Sequence, residues 1–530
     1  MYFTSFGFIL FLVVTFVLYY AVPKKAQWPV LLAASLFFYA FSGLTNFAYI
    51  FATIISTYLI GVKLSKIHKE QSGFLSANKA ELSKEQKKEY KAGMKKKRWR
   101  WLLVCLFLNF GIMAVIKYTD FAISNVNSLI ETFGGNGGLG LMNLILPLGL
   151  SFYTFQTMGY IIDVYRGKCE AEQNIFKFAL FTSFFPQIIQ GPISRFEDIS
   201  TDLFGEKSFD AKTFSYGAQR IIWGFLKKLV IADRLLIAVR VLSADPQGYP
   251  GIYVLACMFL YAVTLYADFT GGIDITIGIA EAMGIKVKEN FDRPFYSKSI
   301  AEYWRRWHIT MGTWFKDYLF YPLSVCKPML NFSSWSRRVL GEKIGKRLPV
   351  YVSTLVVWFA TGLWHGATWN FIVWGLVNGV VILISQEFNP LYAKFGERFS
   401  FVQKRGYEAF RIFRTFWLMC FIRAFDCYEG VAGTFKAQLS VFTDFSLGRF
   451  MSEGLTGMGL GINDYIAAFL AVGLLLIVSV IKTKGSARDF IAGKPAAVRH
   501  FVFAALILAI LIFGVYGVGY DSRQFIYNKF

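Results

Sequence analysis

Charge is scarce in this chain. Only 17% of its 530 residues are Asp, Glu, Lys or Arg, against about a quarter in an ordinary soluble domain. That is too little polar surface to cover a water-soluble particle of this size. Histidine is scarcer still: the chain has four, at His68, His308, His365 and His500. The six cysteines are scattered, mostly inside apolar runs, and no pair has metal-ligand spacing, so neither zinc nor a disulfide framework is expected. Internal repeats are missing, which argues against the inverted-repeat transporters. Low-complexity tails and flexible linkers are missing too, and a single membrane domain over residues 1–530 is the expected organisation.

Apolar side chains fill the chain instead: 55% of residues are hydrophobic and 18% aromatic. A helix needs roughly 20 predominantly apolar residues to cross a bilayer. Phe3 to Val22 and Phe501 to Tyr520 are uncharged runs of that length. Ala26 to Val62 is uncharged throughout and carries a Ser42-Gly43 break, so it reads as two helices. Leu141 to Ile162 and Ile252 to Ala267 follow the same pattern. The first run lacks a basic start and a small-residue cleavage site, and is expected to stay as a mature helix. The expected fold is an all-α polytopic integral membrane protein with about eleven crossings and shorter re-entrant or interfacial helices.

The charge that is present is one-sided, with 56 Lys and Arg against 34 Asp and Glu, a net +22. In a soluble protein this would point to nucleic acid. No recognition fold accompanies the basic run here, and the positive-inside rule accounts for it. Residues 63–100 hold 13 Lys/Arg and four Glu, and are expected as a basic cytoplasmic loop. Counting helices from that anchor puts Lys24 and Lys25 inside, and the uncharged start and the Gly-rich stretch 133–140 outside. Lys482, Lys484, Arg488, Lys494 and Arg499 place 482–499 in the cytoplasm, and the last helix then delivers the tail 521–530 to the outer face.

The middle of the chain is less regular. Pro186, Gly191 and Pro192 interrupt the apolar stretch Phe178 to Ile193, which also holds Gln187 and Gln190. Non-helical backbone at membrane depth is tolerated only where protein buries it or it lines a wet cavity. Asp268 and Asp274 flank a Thr270-Gly271-Gly272 break, and ionisable groups in apolar segments are functional candidates.

Two histidines stand in settings that invite chemistry. His365 lies in Thr361-Gly362-Leu363-Trp364-His365-Gly366-Ala367, inside a nearly charge-free stretch from 350 to 386 that is too long for one crossing. It is therefore expected near a turn between two helices, facing the interior. Gly362 and Gly366 let backbone or substrate come close. An imidazole titrates near neutrality and can take a proton from a hydroxyl that attacks an acyl group. His308 lies in Trp304-Arg305-Arg306-Trp307-His308, and the spacing of Trp304, His308, Met311 and Phe315 predicts one helix face. Arg305, Arg306 and Lys316 among Trp and Tyr predict an interfacial helix, with His308 at the mouth of a site for an anionic cytosolic donor. Two histidines without a carboxylate at ligand spacing predict no metal.

At these residues the chain resembles the membrane-bound O-acyltransferases, and within them the bacterial alginate O-acetyltransferase branch. The resemblance is carried by Pro186 to Arg195 (PQIIQGPISR), Asp268-Phe269-Thr270-Gly271, Asn290 to Phe295 (NFDRPF), Trp304 to His308 running on through Asp317-Tyr318-Leu319, and Gly362 to Ala367 (GLWHGA). It implies a many-helix fold around a central tunnel in a bacterial plasma membrane, with His365 as catalytic base and His308 also required. Arg305, Arg306, Trp304, Trp364, Asn370, Asp268 and Gln190 are the expected donor-site or tunnel-lining residues, Asn370 and Trp364 being candidate oxyanion donors. The implied donor is acetyl-CoA, with no tightly bound cofactor. The implied acceptor is an extracytoplasmic polysaccharide hydroxyl, reached with an SGNH-type acetyltransferase partner. Gly272 and Ile273 depart from the Tyr and Ser usual in that branch, which leaves the acceptor open between an alginate-like exopolysaccharide and a cell-wall polymer. The ending Phe525-Ile526-Tyr527-Asn528-Lys529-Phe530 is similar to the family's aromatic-Tyr-aromatic tail, which makes Tyr527 a candidate acyl relay.

Two rival readings remain at this point: D-alanyl transfer to teichoic acid, and an envelope-precursor transporter or flippase. The transporter explains the helices but not the two Trp-His motifs. The topology is testable by labelling single cysteines from outside intact cells. A cysteine at position 530 should label readily and one at position 80 should not; equal labelling overturns the assignment.

Overall fold

The computed structural model describes residues 3–135, 137–483, 485–517 and 520. The tail 521–530, Tyr527 included, lies outside the described residues. Among the described residues the chain is helical, and its one β-type pairing is an isolated bridge between Phe291 and Trp307. Seven of the described helices are long and apolar enough to cross a membrane. Inside a bilayer no water is available to backbone groups, and a helix satisfies them within the segment. The expected eleven crossings included segments that emerge shorter, among them Gln27–Ala40 with 14 residues and Leu150–Arg166 with 17.

Contacts divide the chain into two compact units, Met1–Phe214 with Ile279–Val287, and Ser215–Gly278 with Lys288–Phe530. The first unit contains α1 (Phe6–Ala21), α2 (Gln27–Ala40), α3 (Asn46–Ala77), α4 (Lys84–Thr132), α5 (Leu150–Arg166) and α6 (Ile175–Ser183). The basic stretch 63–100 is not an irregular loop. It is the end of α3 and the start of α4, joined through residues 78–83. Ser83 caps α4 by accepting from the Gln86 amide, and Gln86 answers through its own side chain. At 49 residues, α4 is about 70 Å long, more than twice the roughly 30 Å of hydrocarbon in a bilayer. Its lysine-rich first half is the excess.

Residues 141–149, expected as helix, are not helical. Pro147 cannot donate a backbone bond, and Gly149 caps α5 in the left-handed region at φ 71°. A Cβ at Gly149 would sit 2.2 Å from the Ile188 carbonyl oxygen, so only glycine fits there. The expected interruption after α6 is present. A four-residue turn, Phe185–Ile188, is followed by irregular backbone, and every residue from 178 to 194 is buried.

The second unit contains most of α7 (Ala211–Phe225), a wide π-turn over Leu226–Ala232, α8 (Asp233–Ala244) and most of α9 (Ile252–Ala282). Beyond them come α10 (Ile300–Arg306), α11 (Ile309–Phe315), α12 (Leu348–His365), α13 (Trp369–Glu387), α14 (Arg405–Cys427), α15 (Ile462–Ile481) and α16 (Ala496–Phe513). The break expected at Thr270-Gly271-Gly272 is absent, and α9 runs through it. Its glycines serve packing instead. A Cβ at Gly271 would lie 2.9 Å from the Gly224 carbonyl oxygen, and one at Gly278 would lie 2.8 Å from that of Gly217. Glycines seven residues apart on both helices thus let α7 and α9 touch backbone to backbone, the small-residue packing of membrane helices.

Candidate active site

Two of the motifs singled out above form one structure. The amide of Asp292 donates to the Arg306 carbonyl at 3.0 Å and the amide of Ile309 to the Asn290 carbonyl at 3.0 Å. With the Phe291–Trp307 bridge between them, residues 290–292 run antiparallel to 306–309. This pairing ends α10 at Arg306, leaves Trp307 extended, and puts His308 in the left-handed region at φ 48° and ψ 53° before α11 begins. The continuous helix face expected for Trp304, His308, Met311 and Phe315 is therefore corrected to a bend, because bonds to 290–292 replace the helical ones. His308 itself has no exposed surface and lies inside the protein, not at a mouth.

Asn290 holds the bend from within. Its Oδ1 accepts from the Thr310 amide at 3.0 Å and from Thr310 Oγ1 at 2.9 Å, and its Nδ2 lies 3.2 Å from His308 Nδ1. The Phe269 ring is 4.9 Å from the imidazole. Burial, and secondarily the positive charge of Arg423, lowers the His308 pKa below its ordinary value, so the ring is neutral at physiological pH.

His365 is the last residue of α12 and is 5% exposed. Gly366 continues the chain in an extended conformation, and Thr368 caps α13 through the Phe371 amide. The hairpin is tight: a Cβ at Gly362 would sit 2.3 Å from the Phe371 carbonyl oxygen, and one at Gly366 would strike the Phe371 ring. The His365 ring lies 4.9 Å from Trp364 and 4.7 Å from Trp374. Trp364 also lies 6.0 Å from His308. The two histidines, 57 positions apart in the chain, thus pack on the same indole.

Trp304 extends this aromatic wall. Its Nε1 donates to Asn378 Oδ1 at 2.9 Å, and its ring meets Trp358 at 4.9 Å and Trp374 at 5.5 Å. Beside it opens a cavity of about 350 Å³, lined by Trp304, Trp307, Trp358 and Thr361 and flanked by Arg305 and Lys316. That volume suits a small-molecule site, for which 300–1,000 Å³ is typical. Neither histidine lines it, but Trp307 and Ile309 flank His308, and Thr361 stands one turn before His365.

Other expected site residues are placed elsewhere. Arg306 pairs with Glu302 at 2.7 Å, while Arg305 is exposed. The Asn370 amide donates to the carbonyls of Phe425 and Tyr428, at 3.2 and 2.7 Å, and so is engaged in joining α13 to the end of α14. Gln190 belongs to the first unit, fully buried in the irregular backbone after Phe185–Ile188. Asp268 receives Lys228 Nζ at 2.6 Å, and the same ammonium reaches Asp233 at 2.7 Å. Asp274 pairs with Lys227 at 2.5 Å and Arg220 at 2.9 Å. Both aspartates thus belong to buried ion networks that tie α9 to the π-turn. The sequence reading missed Arg423 and Asp426, a buried pair at 2.9 Å in α14. Their signal was available: two opposite charges three residues apart in an otherwise apolar helix end.

The membrane-bound O-acyltransferase family profile matches residues 171–428. The probable alginate O-acetylase AlgI of Azotobacter vinelandii is 33% identical over 381 residues, 71% of this chain and 67% of the relative. Its namesake in Pseudomonas fluorescens is 30% identical over 511 residues, 94% and 85% of the two chains. A peptidoglycan O-acetyltransferase of Helicobacter pylori is 28% identical over 417 residues, 73% and 70%.

The ion network yields a prediction separate from catalysis. Lys228→Met removes the cation that Asp233 and Asp268 share. Breaking such a buried pair costs about 3–5 kcal/mol. The variant should lose thermal stability in detergent by that order, while activity per folded molecule is kept. An unchanged melting temperature would refute the structural assignment.

Proposed function

The chain belongs to the membrane-bound O-acyltransferase family and is an O-acyltransferase, and on that premise we propose that it passes an acetyl group from cytosolic acetyl-CoA across the membrane towards hydroxyls of an extracytoplasmic polysaccharide. The observation that carries this reading is the meeting of His308 and His365 on Trp364, in a buried site beside an apolar cavity with cations at its edge. Arg305 and Lys316 suit the phosphates of an anionic donor, and the aromatic lining suits its thioester arm. The names of the relatives, alginate O-acetylase and peptidoglycan O-acetyltransferase, support a polysaccharide acceptor.

In this mechanism His365 takes the proton of the attacking hydroxyl as its oxygen bonds to the thioester carbon. The tetrahedral intermediate collapses with cleavage of the C–S bond. The departing thiolate recovers the proton from the imidazolium and leaves as CoA. Of the two oxyanion donors expected from the sequence, Trp364 stands between the histidines, whereas the Asn370 amide is held by carbonyls of α14. His308 stays neutral and, held by Asn290, orients the donor end of the site. An extracytoplasmic SGNH-type partner completes transfer to the polymer.

Purified protein supplied with free acetyl-CoA should release CoA, with water taking the acetyl group as acetate when no polymer is present. His365→Ala and His365→Gln should each lower that rate by about 10² to 10⁴, at unchanged expression and insertion. Wild-type rates in either variant would make the histidine structural. No CoA release by the parent protein would favour a transporter, or a D-alanyl transferase fed by a carrier protein.

Tyr527 is proposed as the acyl way-station on the outer side. A phenol with a pKa near 10 is a better leaving group than a sugar alkoxide, so onward transfer is favourable. Tyr527→Phe keeps the ring and removes only the hydroxyl. Polymer acetylation should be lost while CoA release by hydrolysis of the donor persists; normal polymer acetylation in this variant would exclude the relay.

A further inference from the structure

The end of α14 takes no part in the scheme above, yet it is bonded to both histidine turns. Arg423 is 4% exposed. Its Nε donates to the Tyr303 hydroxyl at 3.2 Å and its Nη1 to Asp426 Oδ2 at 2.9 Å. Its guanidinium carbon lies 4.2 Å from the centre of the Trp307 ring, and Trp307 stacks on Tyr303 at 5.5 Å and 14°. Trp307 is the residue before His308 and a partner in the bridge that forms the bend. One turn further along α14, the carbonyls of Phe425 and Tyr428 accept from Asn370, the second residue of α13 and five positions after His365.

A guanidinium is planar and carries a fixed fork of donors. It can stack on an indole and donate in its own plane at the same time, which an ammonium cannot do. Bonded in this way, Arg423 leaves Tyr303 and Trp307 one arrangement relative to α14. Asn370 does the same for the start of α13. The two anchors are separated by less than two helical turns, too short a length of helix to flex appreciably.

We propose that Arg423 is a positioning residue of the acyl-transfer site: it fixes the His308 bend to α14, while Asn370 fixes the His365 hairpin to the same end of α14, so that this helix end sets the separation of the two imidazoles. The inference rests on the acyl-transfer reading. Misplacement of a reacting group by about 1 Å costs on the order of 10² in rate. Loosening either anchor therefore acts on turnover and leaves donor binding nearly intact.

The test uses the full chain in detergent, with CoA release from acetyl-CoA measured over a range of donor concentrations and normalised to monodisperse protein. Arg423→Lys keeps the charge and loses the fork. Its kcat should fall by about 10- to 100-fold with KM changed by no more than about twofold. Tyr303→Phe removes a single hydroxyl and should lower kcat in the same direction by less, which keeps the comparison open if Arg423→Lys does not fold. Combining Arg423→Lys with Asn370→Ala should cost far less than the product of the two single losses, since both act on one distance. Unchanged kcat with a lower melting temperature would reduce Arg423 to a packing role. A raised KM at unchanged kcat would make it part of donor binding, and either result overturns the proposal. Absence of CoA release by the parent protein overturns the acetyl-CoA reading on which the inference rests, and is distinguished from both by the parent control.

Discussion

A helix that ends inside an apolar protein leaves backbone amides and carbonyls that must find partners, because no water is there to take them. Both histidines sit at such ends. α10 stops at Arg306, and its released groups are taken by the backbone of 290–292. α12 stops at His365, where Thr368 and a pair of glycines allow the chain to re-enter as α13. A helix end is also where a side chain can point along the axis into open space, not sideways into a neighbour. The cost is real: a non-glycine residue in the left-handed region stores about 1–3 kcal/mol. At His308 that strain is held by four hydrogen bonds between residues 290–292 and 306–310.

The treatment of charge follows from the same constraint. Where α3 and α4 extend past the apolar window, their lysines are largely exposed, and those that pair, such as Lys69 with Glu170 and Lys97 with Glu70, do so at the surface. Where charge enters the interior, several of the cations are shared. Lys228 serves two aspartates, and Arg220 serves Asp274 and Glu289. Arg423 bonds a phenol and a carboxylate and covers an indole. A buried ion is tolerated only with such multiple partners.

Much of the site was legible in the sequence because its residues are chemically unusual for their surroundings. Gly362-Leu363-Trp364-His365-Gly366 announces a histidine at a tight turn between two apolar runs, and the structure has that turn. Pro186, Gly191 and Pro192 announce buried irregular backbone, and it is there. What failed was inference from periodicity across a segment held by distant partners. The four-three-four spacing around His308 is truly helical in pattern, but Asn290 to Asp292 override it. Likewise Gly271-Gly272 carries a helix-breaking composition, whereas the glycine is there because α7 must lie against α9. In both places the deciding partner lies outside the local window, in a separate segment of the chain, and local propensity cannot contain it. The fate of Asp268 was hidden for the same reason: nothing near it in the chain reveals Lys228.

The aromatic density around the two imidazoles has a chemical consequence. Trp304, Trp364, Trp374 and Phe371 surround His365 and its approach with groups that offer little hydration. In such a medium dipoles are little screened, which strengthens the hydrogen bonds that hold these rings in place. Its cost is that nothing fluid remains to correct a misplaced ring. The geometry then has to come from rigid attachments, and these converge on one helix end, from Arg423 to Tyr428.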